Sequence, residues 1–173
     1  RRVDAERRVR WWGRAFGARV SVLRIPGIYA FDSAGGDPRG RVRRGAPVLA
    51  AADDVVTNHV HADDLARACL AALFRGAPQR VYHASDDDEA KMGDWFDRVA
   101  DLAGLPRPPR LTRAQARAAL SPLALSFLGE SRRLDNRRLK RELRVALRYP
   151  TVDAAFRSPA RGAGPSAGRP PAP

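Results

Sequence analysis

Two histidines one residue apart, His59 and His61, stand just ahead of Asp63 and Asp64. Alternate side chains of a strand share one face, so His59 and His61 point together and Asp63 can join them. Imidazole with carboxylate is zinc-binding chemistry. The set is short of ligands, because His83 is the one further histidine and Cys69 the one thiol. No metal is therefore expected, and Asp63 or Asp64 reads as the N-cap of a following helix. Asp86-Asp87-Asp88-Glu89 could meet a hard cation. The expected reading is a solvated acidic loop ahead of a helix. Cys69 sits in Leu65-x-x-x-Cys69-x-x-x-Leu73, the spacing of one helix face, and is expected to be a buried small apolar residue.

The elements that must position these groups follow from periodicity. Val3, Val9, Trp12 and Phe16 fall at helical spacing with charges between them, and Gly17 is placed to end that helix. Residues 19–24 (RVSVLR) alternate and are β-branched, which predicts a strand ended by Pro26 and Gly27. A loop to Pro38 and a short helix over 39–44 come next. Residues 55–60 predict another strand, Ala62 opens a strong helix to about Arg75, and residues 80–84 (RVYHA) predict a further strand. Trp95, Phe96, Val99 and Leu102 mark an amphipathic helix closed by Gly104. Thr112 can cap a helix through Leu120, and Asp135 or Asn136 another through Leu143. From Ser158 the chain is Pro, Gly, Ala and Arg without periodicity, which predicts a disordered tail.

Composition narrows the function classes. The 173 residues are 44% hydrophobic, enough for an ordinary packed domain. The longest apolar runs, such as 68–74, are too short to cross a bilayer, and no targeting segment is visible, so a cytoplasmic protein without a membrane partner is expected. The net charge of +13 raises a polyanion such as nucleic acid as a partner. The basic residues are spread along the chain, however, and are arginine apart from Lys91 and Lys140, as a GC-rich coding sequence would give, so nucleic acid is the minor expectation.

The order of a helix, a strand ending in LRIPGIY, the VHADDLARA helix, the strand VYHAS and then helices resembles the C-terminal half of the extended or atypical short-chain dehydrogenase/reductases, the NAD-dependent epimerase/dehydratase family. The resemblance runs from about Arg2 to Phe156. It implies an α/β fold: the C-terminal portion of a Rossmann-like parallel sheet with a mainly helical substrate-capping part. The implied division is a remnant of the NAD(P)-binding domain over 1–84, the capping part over 85–157 and the tail over 158–173. Because Arg1 opens inside a helical pattern, an upstream segment with a strand and a glycine-rich turn is expected as well. The His59–Asp64 stretch also resembles the HxHxDH signature of metallo-β-lactamase-type hydrolases, but with Asp64 in place of the last histidine.

In the epimerase family a Tyr-x-x-x-Lys pair is commonly followed by a glutamate one turn later. Glu6 matches the glutamate, which puts Arg2 at the lysine position in a catalytic role and the tyrosine before residue 1. An arginine can supply the positive charge that lowers a phenol's pKa, with a different donor geometry from an ammonium. Ile25, Pro26, Gly27 and Ile28 match the strand end that lines the nicotinamide of NAD or NADP. Arg132 and Arg133 precede the helix before which relatives often grip a substrate phosphate, a task suited to bidentate donors. The resemblance thus implies an NAD(P)-dependent oxidoreductase, epimerase or dehydratase acting on a hydroxyl or carbonyl of a small molecule that carries phosphate or is a sugar nucleotide. A homodimer of the intact protein fits the same expectation. This segment alone, without the glycine-rich loop, is expected to be inactive and to hold no dinucleotide tightly. Two other readings stay open: a non-catalytic relative acting as scaffold or regulator, and a basic module for a polyanion.

Overall fold

The computed structural model describes residues 2–33 and 35–158. The expected tail therefore lies almost wholly outside the described residues. Helix α1 (Arg2–Ala15) leads through Gly17, whose φ of +67° turns the chain back, into strand β1 (Ser21–Arg24). Strand β2 (Gly27–Tyr29) follows at once, in a stretch expected to be loop. Helix α2 (Pro38–Arg43) is capped by the Asp37 carboxylate, which accepts the Arg39 N–H. Strands β3 (Val48–Leu49) and β4 (His59–His61) precede helix α3 (Ala62–Arg75), and strand β5 (Arg80–His83) comes after it. Helix α4 (Met92–Ala103) ends at Gly104, in the left-handed conformation at φ +63°. Strand β6 (Arg110–Leu111), helices α5 (Arg113–Ala119), α6 (Pro122–Leu128), α7 (Arg137–Arg141) and α8 (Val152–Arg157) complete the order.

The strands make three two-stranded sheets, β1–β5, β2–β4 and β3–β6, and every one of these pairings is parallel. Parallel pairs need crossovers, which is why partners lie far apart in sequence. The α/β class with a parallel sheet is thus the observed architecture. The strand expected over 55–60 is shorter and shifted, because residues 55–58 spend their hydrogen bonds on loops: Met92 N–H donates to Val55 O, Arg132 N–H to Val56 O and Thr57 N–H to Ala90 O.

Three clusters exclude water. Tyr29, Val42, Trp95, Val99, Tyr149 and Val152 form one between β2 and α4. Ala68, Ala72, Tyr82, Leu139 and Leu143 form a second between α3, β5 and α7. Leu49, Ala116 and Leu128 form the third. All three draw residues from both sides of residue 84. Helical spacing does not secure burial here, and the expectation for Cys69 fails. The apolar side chains of α1 are exposed, among them Trp12 at 49%, because the helix approaches β1 through Gly13, where a Cβ would come within 2.7 Å of Val20. Cys69 is exposed, because α3 turns Ala68 and Ala72 inward instead.

Candidate functional site

The carboxyl ends of β1 and β2 sit side by side with those of their parallel partners, the place where ligands of open α/β sheets lie. The last residue of β1, Arg24, is fixed by Glu6 of α1, whose two carboxylate oxygens accept from Arg24 Nε at 3.0 and 3.2 Å and Nη2 at 2.8 Å. That hydrogen-bonded guanidinium holds the Glu6 carboxyl below its usual range. Arg2 stands one turn earlier on the same helix, exposed to solvent. Beyond Arg24, Ile25 in the link to β2 and Ile28 within β2 face solvent at 42% and 52%, with half-buried Pro26 just before the start of β2. Gly27 N–H donates to Asn58 O at 3.2 Å, and a Cβ at Gly27 would lie 3.0 Å from the His59 ring. Glycine is what lets this strand lie so close to the imidazole.

Beneath that turn lies a buried layer of ionisable groups. The His59 ring stacks on Trp95 at 3.8 Å, and burial pushes its pKa down to about 4. His61 lies 3.9 Å from the Tyr149 ring and 5.2 Å from that of Tyr29. His61 Nδ1 accepts the Asp63 N–H at 3.2 Å, so this histidine, and neither expected aspartate, is the side-chain N-cap of α3. The two imidazoles are thereby engaged in different tasks. Among the described residues no group of three or more His, Cys, Asp or Glu is arranged to hold a metal ion.

Asp64 is 1% exposed and accepts the backbone N–H groups of Arg148 at 3.0 Å and Tyr149 at 2.7 Å. Asp86 is 3% exposed, which overturns the solvated acidic loop for this residue. Its N–H donates to His59 O, its Oδ1 accepts the Asp88 N–H, and burial pushes its pKa up to about 8. Burial also raises Asp88, which accepts the Val152 N–H, and raises Tyr29 well above the usual phenol range, with Asp86 and Asp88 adding to the effect. Asp87 remains exposed and pairs with Lys140 at 2.6 Å. Sequence reasoning missed Asp64, Asp86 and Asp88 as structural hubs. The one available signal was their place immediately after β4 and β5, at the carboxyl edge of parallel strands.

A groove of about 410 Å³ runs between this acidic loop and residues 133–137, lined by Asp86, Asp87, Glu89, Arg133, Asn136 and Arg137. Asn136 closes its floor, donating to the carbonyls of Ser85 and Asp86 at 3.0 and 2.9 Å and to Asp87 Oδ1 at 2.7 Å. Arg133 reaches Glu89 at 3.5 Å across it. Arg132 pairs instead with Glu130 and is not among the lining residues. The structure thus brings Arg133 to a groove and leaves its neighbour outside. Carboxylates on one wall and guanidinium groups on the other suit a ligand that carries both hydroxyl donors and an anion.

No protein-family model and no curated protein matches the chain. Solved structures do. A conserved protein of unknown function from Silicibacter pomeroyi is 31% identical with a TM-score of 0.70, over 84% of this chain and 50% of that one. A nucleoside-diphosphate-sugar epimerase from Pseudomonas aeruginosa is 23% identical with a TM-score of 0.70, over 89% and 51%. A human epimerase family protein, solved with NADPH, is 19% identical with a TM-score of 0.66, over 80% and 47%. The chain shares a Rossmann-like α/β fold with these structures and spans about half of their length.

Proposed function

We propose that the chain is the C-terminal part of an NAD(P)-dependent oxidoreductase, epimerase or dehydratase, supplying one wall of the nicotinamide site and the side that holds the substrate. The observation that carries this reading is the pair of exposed isoleucines, Ile25 just past the carboxyl end of β1 and Ile28 in β2, with α1 locked beside them by Glu6 and Arg24. The exposed isoleucines and the slim Gly27 backbone fit the flat ring end of a dinucleotide. The pyrophosphate end does not fit this chain, since no Gly-x-Gly-x-x-Gly occurs in the 173 residues. When bound, the nicotinamide would supply the hydride chemistry. Arg2 would place a fixed positive charge at the start of α1 beside the reacting hydroxyl, favouring loss of its proton. Arg133, with Arg137, would hold a substrate phosphate in the groove, and the acidic wall would accept from sugar-like hydroxyls.

The polyanion reading is weakened by pairing: Arg24, Arg39, Arg67, Arg80, Arg98 and Arg107 each meet a carboxylate. Among the described residues no helix is long and apolar enough to cross a membrane, and a cytoplasmic setting belongs to the same proposal.

Amide NMR titration of the full chain with nicotinamide mononucleotide tests the reading, because that probe has the ring and lacks the second nucleotide. Shifts centred on Ile25, Gly27 and Ile28 are expected at millimolar concentrations. Shifts centred elsewhere, or none at these residues, would sink it.

A further inference from the structure

A charged recess opens at the outer edge of β5. Among the described residues β5 pairs with β1 alone, and α7 packs beside its other edge. Leu139 and Leu143 are fully buried in the cluster shared with α3 and β5. They pin α7 and the turn after it, which leaves Arg137, Arg138 and Arg141 around the opening. Arg138 reaches back to the strand, its Nη1 donating to Val81 O at 3.4 Å. Alternation along β5 turns Tyr82 into the core and sends Val81 and His83 the other way, onto the floor of the recess. The cavity holds about 410 Å³, within the range of roughly 300–1,000 Å³ typical of small-molecule sites.

The charges around this recess do not balance. The Asp135 carboxylate is taken by Arg137, with Nε at 2.8 and 3.0 Å and Nη2 at 2.6 Å. The Glu142 carboxylate is taken by Arg80, with Nη2 at 2.6 Å and Nε at 3.0 Å. Arg138 stands 4.0 Å from Glu142, and Arg141 meets no carboxylate among the described residues. The His83 ring has no hydrogen-bond partner among them. We infer that the recess is a binding site for a phosphate group, held by Arg138 and Arg141 with a ring N–H of His83 at its floor. Phosphate suits it better than carboxylate. Donors from a strand and from a helix approach along different directions, and a tetrahedral anion has an oxygen for each. Space beyond the phosphate, walled by Val81, fits the carbon body of a phosphate monoester. Asp135 and Arg137 also line the groove of the acidic loop, but Val81, His83, Arg138 and Arg141 do not. The inference therefore stands apart from the nicotinamide proposal.

NMR titration of the full chain with inorganic phosphate and with glycerol phosphate, at neutral pH and fixed ionic strength, tests this. The chain has three histidines, and His83→Gln identifies the ring signal that reports on the recess. Saturable shifts of the His83 ring and of the Arg138 and Arg141 amides are expected with at least one of the two probes. Tighter binding of the ester assigns the site to a phosphorylated small molecule, and tighter binding of the free ion to inorganic phosphate; both support the inference. Arg141→Gln should weaken binding by about fivefold and leave the melting temperature unchanged, since that side chain has no carboxylate to lose. Unchanged affinity in Arg141→Gln would overturn the site. Shifts that do not saturate, or that chloride at the same ionic strength reproduces, would reduce the recess to unspecific positive charge and overturn it too. Shifts centred on Asp86–Glu89 and Arg133 would put the phosphate in the neighbouring groove instead. A short single-stranded DNA that binds at these residues while neither phosphate does would make this a polyanion surface and also sink the inference.

Discussion

The carboxylate of Asp64 accepts the backbone N–H of Tyr149 at 2.7 Å, tying the first turn of α3 to the segment that leads into α8. The same carboxylate takes the Arg148 N–H at 3.0 Å and the Arg67 guanidinium at 3.0 Å. Replacing Asp64 with Ala leaves both amides without their acceptor, a loss of about 2–4 kcal/mol. Asp64→Asn keeps one oxygen and should cost less. Urea unfolding of the full chain measures both, and an Ala variant within about 0.5 kcal/mol of the parent would show that the clamp carries no stability.

His59 and Asp86 make opposite pH predictions. His59 stays neutral when folded, so its contribution is lost as pH falls from its unfolded value near 6.5 towards about 4. Asp86 stays protonated when folded until about pH 8, so stability falls as pH rises from its unfolded value near 4 towards 8. From pH 4 to 6.5 the two nearly cancel. From 6.5 to 8 His59 no longer offsets Asp86, and Asp86 should lower stability by roughly 2 kcal/mol, with buried Asp88 acting in the same direction. Asp86→Asn, which keeps the acceptor for the Asp88 N–H, should flatten the alkaline limb and uncover an acid loss from His59. Melting curves across pH 4–9 test this, and an unchanged alkaline limb in Asp86→Asn would refute the assignment.

Gly76 brings the end of α3 against β1 so closely that a Cβ there would lie 2.0 Å from Ser21 Oγ and 2.4 Å from Ala72 O. Gly76→Ala should cost about 2–3 kcal/mol through overpacking. Adding Ser21→Ala removes the nearer clash and should recover part of that. Equal thermal stability of Gly76→Ala and parent would mean that this approach is not tight.

The Arg24–Glu6 pair is half-exposed, so its removal should change global stability by less than about 1 kcal/mol. Its effect should be local. Glu6→Gln should speed amide exchange in the first half of α1 while leaving α3 and α4 unchanged. Uniform acceleration across all three helices would show instead that the pair supports the whole fold.

The sequence was most informative where one local pattern decided the outcome. Ala62–Arg75 is helical at the expected residues, Thr112 makes the full capping box with Gln115, and Gly104 adopts the left-handed conformation its position required. The two-residue strands β3 and β6 were invisible, because Val48–Leu49 and Arg110–Leu111 are extended by pairing with each other and not by their own alternation. Of the candidate cofactor residues, Ile25, Gly27 and Ile28 are exposed and Pro26 is half-buried, which leaves their role a proposal. Asp64 and Asp86 could not be read from the sequence, since an aspartate that serves distant backbone amides looks the same in sequence as one in water. Cys69 misled for the converse reason: helical spacing shows that a stripe exists, and only the neighbouring elements decide whether anything covers it.

The parallel pairing of the six strands also governs when the fold can form. Ser21 pairs with Arg80, Gly27 with His59 and Val48 with Arg110, so each strand waits for a partner made much later. On the ribosome β1 emerges long before β5, and α3 can form its own hydrogen bonds while the sheet beneath it cannot. Contacts of such long sequence range slow the search for the native state and prolong the exposure of unpaired strands. During synthesis β1 would therefore stay unpaired until Arg80–His83 has been made, which leaves an extended segment without its partner over that interval.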